Sequence, residues 1–224
     1  MAEQQQQQQT FDEFLRHLAV PDLMGKQPLD YVLHSGAVSI PSEGLMLEFG
    51  VFSGNSITKI AQRFPDRRVF GFDSFEGLPE DWGRPDMAFG KGAFDLGGRL
   101  PPVPENVTLV PGWFDQTLPR FEASLAPDRK IALMHVDCDI YSSTKAIFGT
   151  LGHRLTHGSV IVFDELFNYP TYEKHEILAL YEDIVLPGRL GIRWIGKNGP
   201  LLLNPSRDNG AWDQPAALQL VQLA

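Results

Sequence analysis

Two groups of residues in this chain have types and spacings that could do chemistry. The first is the run Leu45-Met46-Leu47-Glu48-Phe49-Gly50-Val51-Phe52-Ser53-Gly54-Asn55-Ser56, an apolar strand that breaks into a glycine-spaced loop and then starts a helix. Glycines let the backbone turn tightly and approach a ligand, and amides at a helix N-terminus face whatever sits there. Glu48 is unusual, because a carboxylate at the end of a buried strand is unfavourable unless something pairs with it. A cationic or hydrogen-bond-donating ligand would do so; an ordinary strand-to-helix turn capped by its glutamate is the plain alternative. The second group is Asp137 with the pair Asp164-Glu165, which follow two consecutive apolar runs. Carboxylates are hard oxygen ligands of the kind Mg²⁺ takes, and a hydroxyl bound to such a cation loses its proton more readily. The same acids could instead cap strand ends or pair with Lys145 and Lys174.

A third acid refines the first group. Asp73 ends an apolar run 23 residues after Gly50, and in doubly wound folds an acid about 20 residues on accepts hydrogen bonds from ribose hydroxyls. A capping or turn role is its alternative. The glycines separate cofactors, since a dinucleotide site wants Gly-x-Gly-x-x-Gly for its pyrophosphate. Here the spacing is Gly-x-x-x-Gly with an acid two residues earlier, which suits a cofactor with an ammonium group and no pyrophosphate. S-adenosylmethionine is such a molecule: Glu48 would lie near its amino-acid end and Asp73 would hold its ribose. Gly112-Trp113-Phe114 could wall the adenine, although Trp113 could equally be core. His135, two residues before Asp137, shares its strand face and is either a base or a satisfied strand histidine. His153, His157 and His175 share no spacing and receive no role.

Positioning these groups requires alternating strands and helices. Apolar runs at 45–49, 68–73, 106–110, 130–136 and 158–163 read as strands, and residues 56–64 and 146–155 read as intervening helices. This alternation predicts an α/β, Rossmann-like, doubly wound and mostly parallel seven-stranded sheet. Residues 190–195 and 200–203, joined by Lys197-Asn198-Gly199, predict a C-terminal antiparallel hairpin, because Asn-Gly between apolar runs is a hairpin turn. Before the sheet, residues 11–44 read as a helical segment. Phe11, Phe14, Leu15 and Leu18 recur at helical spacing up to Pro21, on a face that would cover the cofactor or pack on the sheet. The glutamine-rich residues 1–10 cannot bury apolar surface and are expected to stay disordered. The domain proper would span 45–204, with a Gly- and Pro-rich lid at 80–104 that carries Trp82, Phe89, Lys91, Phe94 and Arg99. Residues 205–224 would form a tail whose apolar end, 218–223, has no assigned role.

Composition narrows the partners. The chain has 224 residues, 43% of them hydrophobic, and a formal charge of -9 without a Lys/Arg cluster. That argues for one domain acting on a small molecule and against nucleic acid, which needs a basic surface. No run of about 18 apolar residues predicts a membrane span, and the start is unlike a signal peptide. A single cysteine, Cys138, fits a reducing compartment, so a cytoplasmic protein is expected.

Four runs in order resemble the class I S-adenosylmethionine-dependent methyltransferases, and within them the macrocin O-methyltransferase family. They are Glu48 through Gly54, Phe72-Asp73-Ser74-Phe75-Glu76-Gly77-Leu78-Pro79, Gly112-Trp113-Phe114 with Thr117-Leu118-Pro119, and Asp137-Cys138-Asp139-Ile140-Tyr141-Ser142-Ser143-Thr144. The resemblance implies S-adenosylmethionine contacts at Glu48, Gly50, Phe52, Ser53, Gly54, Ser56, Asp73, Ser74, Phe75, Gly112, Trp113, Phe114 and Asp137. It also implies Mg²⁺ ligation by Asp137, Asp164 and Glu165, Asp137 as the proton acceptor, and often a homo-oligomer. The family usually carries Asp-Asp where this chain has Asp164-Glu165. The expected activity is O-methylation of a small hydroxylated acceptor. The alternatives are a metal-independent N- or carboxyl-methyltransferase with His135 or a lid residue as base, a nicotinamide-dependent oxidoreductase, or a non-catalytic nucleotide-binding module.

Overall fold

The computed structural model describes residues 9–86, 89–201 and 214–223. Seven strands form one sheet: β1 (Leu45–Phe49), β2 (Val69–Asp73), β3 (Val107–Pro111), β4 (Ile131–Val136), β5 (Val160–Phe167), β6 (Gly191–Lys197) and β7 (Gln214–Val221). Their order across the sheet is β3-β2-β1-β4-β5-β7-β6. The first five are mutually parallel, and β7 runs antiparallel to both β5 and β6. This is the expected Rossmann-like, mostly parallel seven-stranded sheet.

The parallel strands form where they do because both of their faces are covered, which calls for continuous rather than alternating apolar runs. Every residue of β1 and of β4 is buried. Leu47, Phe49, Met134, Val136, Ile161 and Phe163 pack against α4 (Phe114–Ser124), α5 (Tyr141–Leu151) and α6 (Glu176–Leu180). On the other face Met46, Leu133, Val160 and Val162 pack against α2 (Pro28–His34) and α3 (Asn55–Arg63). The order reverses between β1 and β4, where a crevice opens outside the carboxyl ends of the strands.

Two expectations are corrected. The expected C-terminal antiparallel pair is present, but the strand beside β6 is β7 rather than residues 200–203. Pro200 lacks the N–H a ladder needs, whereas Ala216, Ala217, Leu218 and Leu220 are fully buried between β5 and β6. Residues 214–221 are therefore an interior strand and not a tail. Leu202, Leu203, residues 205–213 and residues 1–8 of the glutamine tract lie outside the described residues.

The N-terminal helix α1 (Phe11–Arg16) is shorter than its apolar spacing suggests. A capping box between Thr10 and Glu13 starts it, and His17 ends it with Nδ1 on the Glu13 carbonyl at 2.7 Å. Phe11 and Phe14 pack on Tyr181, with centroids 5.1 and 5.6 Å away, in the helical turn that continues α6. Residues 21–23 run beside β6 instead. Among the described residues no helix is long and apolar enough to cross a membrane.

Asn106 anchors the far end of α3. Its Nδ2 donates to the carbonyls of Ala61, Phe64 and Arg67 at 3.0 to 3.1 Å, satisfying groups the helix end leaves open. Asn106→Ala should lower the unfolding free energy by about 2 kcal/mol, the cost of stranding such acceptors, as measured by urea denaturation; an unchanged midpoint would count against this anchoring.

Candidate active site

At the end of β1 the chain enters the glycine loop through Gly50, at φ +87°, whose amide donates to the Phe72 carbonyl at 2.9 Å. A Cβ here would lie 1.6 Å from the Asp137 carbonyl oxygen, so only glycine fits. Asp73 holds the loop: Oδ2 accepts from the Val51 and Phe52 amides, both at 2.8 Å, and Oδ1 accepts from the Phe75 amide at 2.7 Å. Gly54, in the left-handed conformation, then caps α3.

Glu48 finds its partners inside the protein. Oε1 accepts from Ser56 Oγ at 2.9 Å, and Oε2 lies 3.1 Å from Nδ1 of His135, its direct cross-strand neighbour. Both side chains are fully buried. Burial disfavours the imidazolium, but the Glu48 hydrogen bond and the charges of Glu48, Asp137 and Asp164 outweigh it and raise the His135 pKa to about 9. The other ring nitrogen, Nε2, has no hydrogen-bond partner among the described residues and lies 4.0 Å from Asp164 Oδ1.

The second group converges as its spacing suggests. Asp137, Asp164 and Glu165 each place a carboxylate oxygen within 4.8 Å of the others. Neighbouring side chains on a regular strand point to opposite faces, but the β5–β7 ladder is irregular between Phe163 and Phe167, and this brings both acids of β5 to one site. Burial, then the charge of Asp164, pushes the Asp137 carboxyl well above the usual range; burial, then Asp137 and Asp164, does the same to Glu165. Glu165 Oε2 is buried without a hydrogen-bond partner among the described residues. Crowded acids with an orphaned oxygen form a donor set that a hard divalent cation fits.

Both groups meet at a cavity of about 600 Å³. Gly50, Phe52, Asp73, Ser74, Gly112, Trp113, Phe114, Asp137 and Glu165 line it, while Glu48, Ser53, Gly54, Ser56, Phe75 and Asp164 do not. A methyltransferase domain model matches residues 47–166, more than half of the chain and the whole of this region. The chain belongs to that methyltransferase family.

Relatives extend the match. A tetracenomycin-type rhamnosyl 4'-O-methyltransferase of Streptomyces olivaceus is 30% identical over 145 residues, 54% of this chain and 52% of that protein. The mycinamicin III 3''-O-methyltransferase of Micromonospora griseorubida is 28% identical over 178 residues, 67% of this chain and 68% of that protein. The chain thus spans about half the length of the first and two thirds of the second. The crystal structure of the calicheamicin methyltransferase CalS11 superposes with a TM-score of 0.57 at 26% identity, covering 85% of this chain and 76% of that one.

Several residues of this methyltransferase cavity received no role from the sequence. Asp115 and Gln116 start α4, and Ser142 and Ser143 lie in the first turn of α5. Their signal is position alone, since each follows the carboxyl end of a strand, where ligands of such sheets sit. Trp82, Phe89 and Phe94 of the excursion line the wall, whereas its Lys91 and Arg99 do not. Ser142 Oγ ties the excursion to α5 through Glu80 Oε1 at 2.5 Å. Behind the acids, Glu176 is fully buried with Cys138 Sγ 3.8 Å from Oε1, and burial pushes its carboxyl well up. Nothing local in the sequence marks it.

Gly50→Ala is expected to cost about 4 kcal/mol or more, because the backbone of two strands must part to admit a methyl. Ser53→Ala, exposed and outside the cavity, should stay within about 0.5 kcal/mol of the parent. Equal urea midpoints for the two variants would contradict the close approach.

Proposed function

We propose that this chain is an S-adenosylmethionine-dependent O-methyltransferase that acts on a hydroxyl of a small molecule, with Mg²⁺ held by Asp137, Asp164 and Glu165. What carries the reading is the meeting, at one cavity, of the glycine loop pinned by Asp73 and the three converging carboxylates. The relatives' activities, 4'-O-methylation of a rhamnosyl-tetracenomycin C and 3''-O-methylation of mycinamicin III, support the same reading.

In this reading Gly50, Phe52, Asp73 and Ser74 hold the amino-acid and ribose parts of the cofactor, with Asp73 using the lone pairs its amide contacts leave over. Trp113 and Phe114 flank the adenine. Glu48 and Ser56 act from behind the loop by fixing β1 to α3, and Ser53, Gly54 and Phe75 shape its course. Asp137 accepts the proton from the acceptor hydroxyl. A bound Mg²⁺ supplies Lewis acidity that eases that proton loss. The rest of the task is alignment of the oxygen with the sulfonium methyl. A metal-independent route through His135 is disfavoured, because that ring is fully buried and does not line the cavity.

The test combines binding and turnover. S-adenosylhomocysteine at about 100 times its Kd should raise stability by about 2.7 kcal/mol, and NAD should not. Mg²⁺ should raise the melting temperature of the full chain, and Glu165→Gln should weaken that response at least about tenfold in midpoint concentration, as loss of a ligand demands. Methyl transfer should stop in EDTA and return with Mg²⁺; full activity in EDTA would refute the metal assignment.

A further inference from the structure

The cavity has an aromatic wall that the cofactor assignment uses only at Phe52. Four rings run along it in succession. Phe52 meets Phe94 edge-on with centroids 5.9 Å apart, Phe94 meets Phe89 at 5.1 Å, and Phe89 stacks on Trp82 at 5.6 Å. All four line the cavity. The outer two are among the few large apolar side chains the protein leaves exposed, Phe52 at 45% and Phe94 at 41%. Both also have left-handed backbones, φ 44° and 68°, which cost a bulky residue energy and tend to persist at functional sites. Strain and exposure on two facing rings at the mouth of a cavity mark a surface kept for a ligand. Deeper in, Trp82 is 4% exposed and its Nε1 has no hydrogen-bond partner among the described residues, so a donor waits there for an oxygen.

Charge completes the description. Asp73, Asp115, Asp137, Asp139 and Glu165 line the cavity, and among the described lining residues there is no Lys, Arg or His. Arg84 of the excursion lies between the Trp82 and Tyr169 rings and pairs with Asp86 at 2.8 Å. Phosphate or carboxylate groups are held by basic side chains or helix N-termini; the two helix starts that line this cavity carry Asp115 in the first turn of α4 and Asp137 and Asp139 just before α5, so acidic side chains oppose an anion there.

We propose that Phe94, Phe89 and Trp82, which meet the cofactor loop at Phe52, form the acceptor subsite, and that it takes an uncharged hydroxylated compound with a flat apolar face while rejecting anionic acceptors. The inference rests on the methyltransferase reading above, in which the cofactor lies along the glycine loop and reaches the ring series at Phe52. Phe94 is the residue that sets specificity, because it touches both neighbouring rings and belongs to no part of the glycine loop.

The test is calorimetric titration of the full chain saturated with S-adenosylhomocysteine, using 2-naphthol and 2-naphthol-6-sulfonate as a matched neutral and anionic pair. The neutral probe should bind, and the sulfonate at least about tenfold more weakly, as a like charge in a partly desolvated site demands. Phe94→Ala should weaken 2-naphthol at least about fivefold, the range of an aromatic contact, and Phe94→Leu, which keeps bulk without a ring, should fall between. Homocysteine-cofactor affinity read on the same samples reports that each variant is folded. Equal binding of the two probes, absence of 2-naphthol binding to the cofactor-bound chain, or an unchanged affinity in Phe94→Ala would overturn the proposal. Failure to bind S-adenosylhomocysteine at all would instead refute the underlying function, and this inference with it.

Discussion

The backbone contact between Gly50 and the Asp137 carbonyl is the constraint on which the site depends. A β-carbon at residue 50 would fall 1.6 Å from that oxygen, so the ends of β1 and β4 can lie this close only without one. The same pair of strands is tied one step earlier by the Asp137 amide on the Phe49 carbonyl at 2.8 Å. The loop that would cradle a cofactor and the acid that would meet the acceptor are therefore spaced by a single rung of sheet. Reacting groups held on rigid strand ends need little further motion to align, which is where much of a bimolecular barrier goes.

Behind that rung lies a row of ionisable side chains across three neighbouring strands, Glu48 on β1, His135 on β4 and Asp164 on β5. Taking a charged pair out of water is expensive, and such pairs contribute little net stability. Their effect is on geometry. Glu48, held by both Ser56 and His135, ties the start of α3 to the sheet. His135 in turn places a ring nitrogen near one of the three clustered acids, so the polar floor of the site is continuous with the core.

How much of this could be read from the residues depends on the range of the interaction. The sheet and the convergence of Asp137, Asp164 and Glu165 were legible, because apolar runs and the acids that end them are local signals and parallel topology places those ends together. The partner of Glu48 was not: the unpaired carboxylate pointed to a ligand, but a cross-strand neighbour 87 residues away supplies the pairing. The C-terminal pair was legible as antiparallel but not in its residues, since Asn-Gly is a local signal whereas the strand beside β6 is set by burial of Ala216 to Leu220 between β5 and β6. Of the four rings, Phe52 lies in the glycine loop and Trp82, Phe89 and Phe94 lie between β2 and β3, outside the regular elements described, where spacing carries no information about which side chains face one another.

The late strand has a consequence for how the protein is made. The outer edge of β5 carries unpaired backbone groups until Gln214–Val221 arrives to cover it, and at ordinary translation rates of about 5–20 residues per second the intervening stretch takes several seconds to emerge. Throughout that interval Val160, Ile161, Val162 and Phe163 form an open apolar edge next to the strand end that bears Asp164 and Glu165. An uncovered edge of this kind is a template for pairing with another chain. Nascent copies on one messenger would thus be exposed to mispairing until the sheet closes.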